Sequence, residues 1–180
     1  TMSTKTYEIT APGFVCTNDC FTGIISVDDY FWVLPLTNTQ LIRFHRTTGE
    51  SVLYNSWPGS VSMSNQPFLS GAYDGRSRTL WFPPYKANYV VSFRVDDAAV
   101  DYCPLWPVGL GTGSYRFWGG FIERTYLWMA PHSANSLVRV TIDSCDMKFW
   151  PLPVVDSYNY GGITFDGHQT AWLSPFELTA

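Results

Sequence analysis

The sequence predicts an all-β domain spanning residues 1–180 and built from four repeat units. Three observations carry that expectation. Trp-x-x-Pro occurs four times, roughly 45 residues apart: Trp32 to Pro35, Trp81 to Pro84, Trp128 to Pro131 and Trp172 to Pro175. After the first three, five residues intervene before an apolar stretch, beginning at Leu41, Val90 and Leu137. Upstream of each tryptophan by eight to ten residues stands a glycine: Gly23, Gly71, Gly120 and Gly162. A constant internal offset repeated along a chain marks one structural unit used several times.

Within each unit the elements read as short strands. The unit opens with an aromatic-rich stretch ending in proline, at 7–12, 52–58, 100–107 and 147–153. A Gly-led strand follows, then the Trp strand, then the apolar strand, so the units run approximately 7–51, 52–99, 100–146 and 147–180. Turn residues separate the Gly and Trp strands, and Asp74-Gly75 and Asp166-Gly167 carry the signature of two-residue type I′ hairpins. No apolar pattern of helical period extends far enough to claim a helix.

Four antiparallel strands at this period are the signature of a β-propeller blade. Glycine suits the inner strand, where backbones crowd around the axis. The tryptophans (Trp32, Trp81, Trp128, Trp172) would fill the wedge between adjacent sheets. The prolines (Pro35, Pro84, Pro131, Pro175) would end their strands, having no N–H for the ladder. In these features the repeat resembles the blades of streptogramin-lyase-like and NHL-like propellers, and more distantly kelch and WD-type blades. It lacks a Trp-Asp ending, a sustained kelch double glycine and a W-F-T-E strand. The resemblance therefore implies a fold and carries over no functional residue.

The fourth unit runs to Ala180, five residues after Pro175, just before the place where the others begin their apolar strand. Two arrangements follow. In one, Tyr7–Pro12 pairs beside the Trp172 strand and closes a small four-bladed ring with an abbreviated last blade. In the other, the repeats form part of a larger propeller or meet a second chain that completes the last blade.

Composition narrows the function. Net charge is −4 and no basic cluster exceeds a pair, which speaks against nucleic acid and anionic membranes as partners. No run of 18 apolar residues offers a spanning helix. The four cysteines are irregularly spaced and read as small buried thiols, pointing to a reducing, cytoplasmic or other intracellular compartment. His45, His132 and His168 fall on different parts of the blade, so no shared metal site is expected, and no cofactor motif stands out. Asp28, Asp29, Asp74, Glu123 and Asp166 recur at the inner hairpins, where turn chemistry accounts for them.

What remains is an aromatic excess: 17% of residues against 14% charged. Tyr115, Phe117, Trp118, Tyr158 and Tyr160 lie in loops leading to inner strands, and Lys86 and His132 lie just after the Trp-x-x-Pro motifs. Both loop sets belong to one face of a propeller. Rings with polar neighbours suit protein contacts or sugar stacking. The reading is a non-enzymatic binding or scaffold propeller for a protein partner or for self-association. A lectin-like glycan binder and a lyase- or hydrolase-type enzyme stand as alternatives.

Overall fold

The computed structural model describes residues 6, 8–9, 11–16, 18–63, 65–110, 116–152, 160–167 and 170–176. Its described residues hold fourteen strands and no helix. β1 (Phe21–Val27), β2 (Tyr30–Pro35), β3 (Leu41–His45) and β4 (Ser51–Tyr54) form blade 1. Blade 2 comprises β5 (Ala72–Asp74), β6 (Thr79–Phe82), β7 (Val90–Arg94) and β8 (Val100–Cys103). Blade 3 comprises β9 (Phe117–Glu123), β10 (Tyr126–Pro131), β11 (Ser136–Thr141) and β12 (Met147–Pro151). Blade 4 is the hairpin β13 (Tyr160–Phe165) and β14 (Ala171–Pro175). Every pairing is antiparallel between strands adjacent in sequence. The architecture is a β-propeller.

The aromatic, proline-closed stretches are not opening strands of the units they precede. β4, β8 and β12 each hydrogen-bond to the apolar strand before them and form the outer edge of that blade. The reason is local: β3 and β4 are joined by a short turn, whereas the connection from β4 to β5 spans residues 55–71. Short connections pair first, and the long one crosses between blades. Of Tyr7–Pro12, the described residues Glu8, Ile9, Ala11 and Pro12 lie in no strand, and nothing among the described residues pairs with the free side of β14.

The hairpins also differ from expectation. Asp74 pairs with Thr79 across a four-residue loop, and Phe165 pairs with Ala171 across five residues. Neither Asp-Gly is a two-residue turn. Asp74 instead holds its loop closed, accepting hydrogen bonds from the Arg76 and Ser77 side chains and the Arg76 N–H at 2.8–3.2 Å. Two-residue hairpins occur at Asp28-Asp29 and Arg124-Thr125, where Asp28 and Arg124 take positive φ.

The tryptophans sit on the side of each blade that meets the next one. Trp32 packs against Phe93 of blade 2 at 5.2 Å, within a core that includes Leu34, Phe68, Leu80 and Phe82. Trp81 faces blade 3 among Leu127, Met129 and Val138. Trp128 lies half-buried, stacked on Trp150 at 5.3 Å and 6.3 Å from Phe165 of blade 4. Trp172 is 61% exposed. Proline ends β2, β10 and β14, whereas β6 ends at Phe82, before the Pro83-Pro84 pair. A methyl group on Gly71 would lie 2.8 Å from Ile25 of blade 1, and one on Gly120 would lie 2.8 Å from Pro83 of blade 2. Inner-strand crowding is thus the reason for glycine at those two positions.

All four cysteines are paired, contrary to the expectation of buried thiols. Cys16 joins Cys20 within one loop, and Cys103 at the end of β8 joins Cys145 in the β11–β12 turn. The second bond ties blade 2 to blade 3. Disulfides of this kind persist in oxidising surroundings, which counts against a cytoplasmic location.

Candidate functional site

The loops after the Trp-x-x-Pro motifs and those entering the inner strands meet on one face, linked by backbone hydrogen bonds that run from blade to blade. The Leu36 N–H donates to the Cys20 carbonyl at 2.7 Å, and the Gln66 N–H donates to the Leu36 carbonyl at 2.6 Å. The Lys86 N–H donates to Gln66 at 3.2 Å, Arg116 to the Tyr85 carbonyl at 3.0 Å, and His132 to the Arg116 carbonyl at 2.8 Å. This chain of contacts holds the residue directly after each of the first three motifs, Leu36, Tyr85 and His132, and Phe176 stands at the same place after the fourth.

Three of those four are aromatic rings that pack together with Trp118. His132 lies 5.4 Å from Tyr85, 5.1 Å from Trp118 and 5.6 Å from Phe176, and Trp118 lies 4.9 Å from Phe176. Tyr85 and His132 are buried, Trp118 is half-buried and Phe176 is 48% exposed. The cluster spans blades 2, 3 and 4 and reaches solvent through Trp118 and Phe176. Its chemistry is apolar and aromatic contact.

The expected binding residues and their neighbours fall in different surroundings. Phe117 is fully buried and stacked on Trp106 at 6.0 Å. Tyr160 opens β13 opposite Pro175 and is half-buried. Asn88 accepts the Ser62 N–H and donates to the Ser60 carbonyl, both at 2.7 Å, which ties down the loop before blade 2. Arg116 donates to the Asn88 carbonyl at 3.2 Å with its guanidinium 5.1 Å from the Trp106 ring, and burial pushes its pKa below the usual arginine value. Lys86 is half-buried beside this network. Tyr115 and Tyr158 lie outside the described residues, as does His168. Among the described residues no three His, Cys, Asp or Glu side chains come together as metal ligands.

The opposite, hairpin face is held by ion pairs. Arg78 bridges Asp28 of blade 1 at 2.9 Å and Asp96 of its own blade at 2.8 Å. Those hydrogen bonds, first Asp96 and then Asp28, raise the Arg78 pKa further above its ordinary value. Arg46 pairs with Asp29, and Arg94 with Asp97, each at 2.8 Å. The recurring hairpin acids are therefore partly turn formers and partly clasps between blades.

Two surfaces stand out that motif reading did not single out residue by residue. On blade 1, Ile9, Ile24, Phe31, Val33 and Phe44 line an apolar cleft of about 560 Å³, and Ile24 is 67% exposed. At the other end, blade 4 presents Trp172. These are the first and last blade faces. The sequence signal for them was the repeat itself: register places Trp172 where Trp32 and Trp81 are buried.

No protein-family model matches the chain. No curated protein matches it in sequence. Among solved structures, its fold is similar to hydrazine synthase of Kuenenia stuttgartiensis, with a TM-score of 0.60 at 11% identity, covering 84% of this chain and 41% of that one. It is also similar to the extracellular domain of a putative hybrid two-component system from B. thetaiotaomicron, with a TM-score of 0.58 at 14% identity, covering 85% and 19%. A nidogen/laminin complex gives a TM-score of 0.56 at 15% identity, covering 78% and 50%. The chain thus spans between about a fifth and a half of those chains. These likenesses carry the propeller fold and nothing finer.

Proposed function

We propose that the chain is a non-enzymatic binding propeller working outside the cytoplasm, whose two end faces dock protein. The observation that carries this reading is the contrast between equivalent positions. Trp32 is 1% exposed and Trp81 5%, each covered by the following blade, while Trp172 is 61% exposed. Ile24, on the face of blade 1 turned away from blade 2, is 67% exposed. Exposed apolar patches of this kind mark interaction sites.

The occupant is a second copy, joined head to tail. Inside the molecule, every interface pairs a Trp-bearing face with the opposite face of the next blade, as Trp32 does with Leu80, Phe82 and Phe93. Blade 4 offers the first half of that interface, and blade 1 of a second copy offers the other in Ile24, Phe31 and Val33. Such a contact is heterologous and closes into a ring or extends. The two disulfides support the extracytoplasmic setting. A similar fold in an extracellular domain and in a nidogen/laminin complex is consistent with it.

Size-exclusion chromatography with light scattering on the full chain tests the proposal. The expected mass rises with concentration above that of the monomer, and Trp172→Asp and Ile24→Asp each hold it at the monomer with unchanged circular dichroism. A monomer at every concentration overturns it.

A further inference from the structure

Blades 1 and 3 each pack a half-buried arginine against their motif tryptophan. Arg43 pairs across the sheet with Trp32, and its guanidinium carbon lies 4.7 Å from the Tyr30 ring centroid and 6.0 Å from those of Trp32 and Tyr54. Arg139 pairs with Trp128, and its guanidinium lies 4.0 Å from Tyr126, 5.5 Å from Trp128 and 5.6 Å from Trp150. In both, Nε is buried without a hydrogen-bond acceptor, so the cation rests on ring faces.

Blade 2 keeps the tryptophan and loses the rest. Ser92 stands opposite Trp81 where the arginines stand, Thr79 replaces Tyr30 and Tyr126, and Cys103 replaces Tyr54 and Trp150. Three small residues leave a cavity of about 370 Å³ between blades 2 and 3, against about 200 Å³ in the slot that Arg43 fills between blades 1 and 2. The rim differs in charge as well. Asp143 takes the place of Asp96 in the turn of the next blade, but Asp96 is paired with Arg78 whereas Asp143 has no ion pair among the described residues. Asp101, opposite Ser92, likewise has no cation among them. Arg94 also borders the cavity, with its charge taken up by Asp97. Trp81 is 95% buried, and its indole N–H finds no acceptor in the described protein.

We infer that the slot between blades 2 and 3 is a binding site for a guanidinium group, filled by the arginine of a peptide in the place that Arg43 and Arg139 fill elsewhere in the same molecule. The Trp81 ring supplies the stacking face, Asp101 and Asp143 supply the counter-charge, and a peptide carbonyl beside the arginine satisfies the buried indole N–H. The inference does not depend on how the end faces are covered.

The test is titration of the full, oxidised chain with N-acetyl-arginine amide, read by the indole N–H resonance of Trp81 in nuclear magnetic resonance spectra, that peak being assigned by its loss in Trp81→Phe. Saturable shifts are expected, with the neutral isostere N-acetyl-citrulline amide weaker by about tenfold or more. Asp143→Asn, an exposed and structurally mild change, should weaken binding by about tenfold. Ser92→Arg should abolish it by filling the slot from within and should raise the melting temperature. Methylguanidinium separates the sources: weaker binding than the amide assigns the site to a peptide arginine, and equal binding assigns it to a free guanidinium compound. Absence of a saturable shift, or equal affinity for the citrulline compound, or unchanged binding in Ser92→Arg, overturns the inference.

Discussion

Blades 1 and 4 carry the same motif in opposite surroundings. In blade 1, Trp32 lies between Tyr54 and Phe93 and is 1% exposed; in blade 4, Trp172 occupies the same register and is 61% exposed. The chemistry of the motif is constant and its burial is not. A blade is therefore half of an interface, and its tryptophan contributes to stability only through what the following blade brings. The largest test of this contrast is a pair of truncations. Trp32→Ala should cost about 3–5 kcal/mol of unfolding free energy, because it empties a closed core. Trp172→Ala should cost less than about 0.5 kcal/mol in the monomer, where the ring already faces solvent. Chemical denaturation of both variants at low protein concentration measures the difference.

The boundary between blades 2 and 3 sharpens the comparison, since a covalent bond there does part of what rings do elsewhere. Cys103 and Cys145 are 42 residues apart, and removing their bond by a paired Cys103→Ser, Cys145→Ser change should cost about 2–4 kcal/mol. Cys16–Cys20 closes a far shorter loop, so its removal should cost less. Thermal melts of the two double variants give the order, and equal losses would show that the interblade bond has no special place.

The hairpin carboxylates offer the smallest contrast. Burial pulls the Asp74 carboxyl upward, but the hydrogen bonds from the Arg76 side chain, Ser77 and the Arg76 N–H together hold its pKa below the ordinary 3.8. A depressed folded-state pKa adds stability that is present above 3.8 and lost as pH falls through the folded value. Asp74→Asn should therefore lower stability at neutral pH by about 1–2 kcal/mol and flatten the acid side of the stability profile. Urea midpoints measured from pH 7 down to the acid limb decide this.

Much of the blade count was legible because Trp-x-x-Pro and the apolar stretch after it recur at one offset, and that offset is the β2–β3, β6–β7 or β10–β11 connection. Which neighbour the aromatic stretches pair with was not legible. A strand's composition is the same whether it opens one sheet or closes another, and only the lengths of its two connections distinguish them. The disulfide between blades was hidden for a different reason. Cys103 and Cys145 occupy unlike positions of two units: one takes the place of Tyr54 and Trp150, the other the left-handed turn position also held by Gly49 and Ala98. Aligning the repeats column by column would have shown two cysteines displacing unrelated residues in adjacent units. The loop-face cluster was half legible. His132 was readable as a candidate, while Tyr85 and Phe176 stand at the same offset after the motif and pass as core. Phe117 read as a loop ring because the inner strand begins earlier in blade 3 than in blade 2.

The most direct test of the account is tryptophan accessibility as a function of concentration. The chain is labelled with 5-fluorotryptophan, its peaks assigned by single Trp→Phe variants, and the fluorine shift between light and heavy water measured for Trp32, Trp81 and Trp172. The account predicts that Trp32 and Trp81 are insensitive to solvent at every concentration. Trp172 should be solvent-sensitive in dilute solution and lose that sensitivity as a second copy covers it. A Trp172 signal already insensitive in the most dilute sample would contradict the open end face, and with it the central claim.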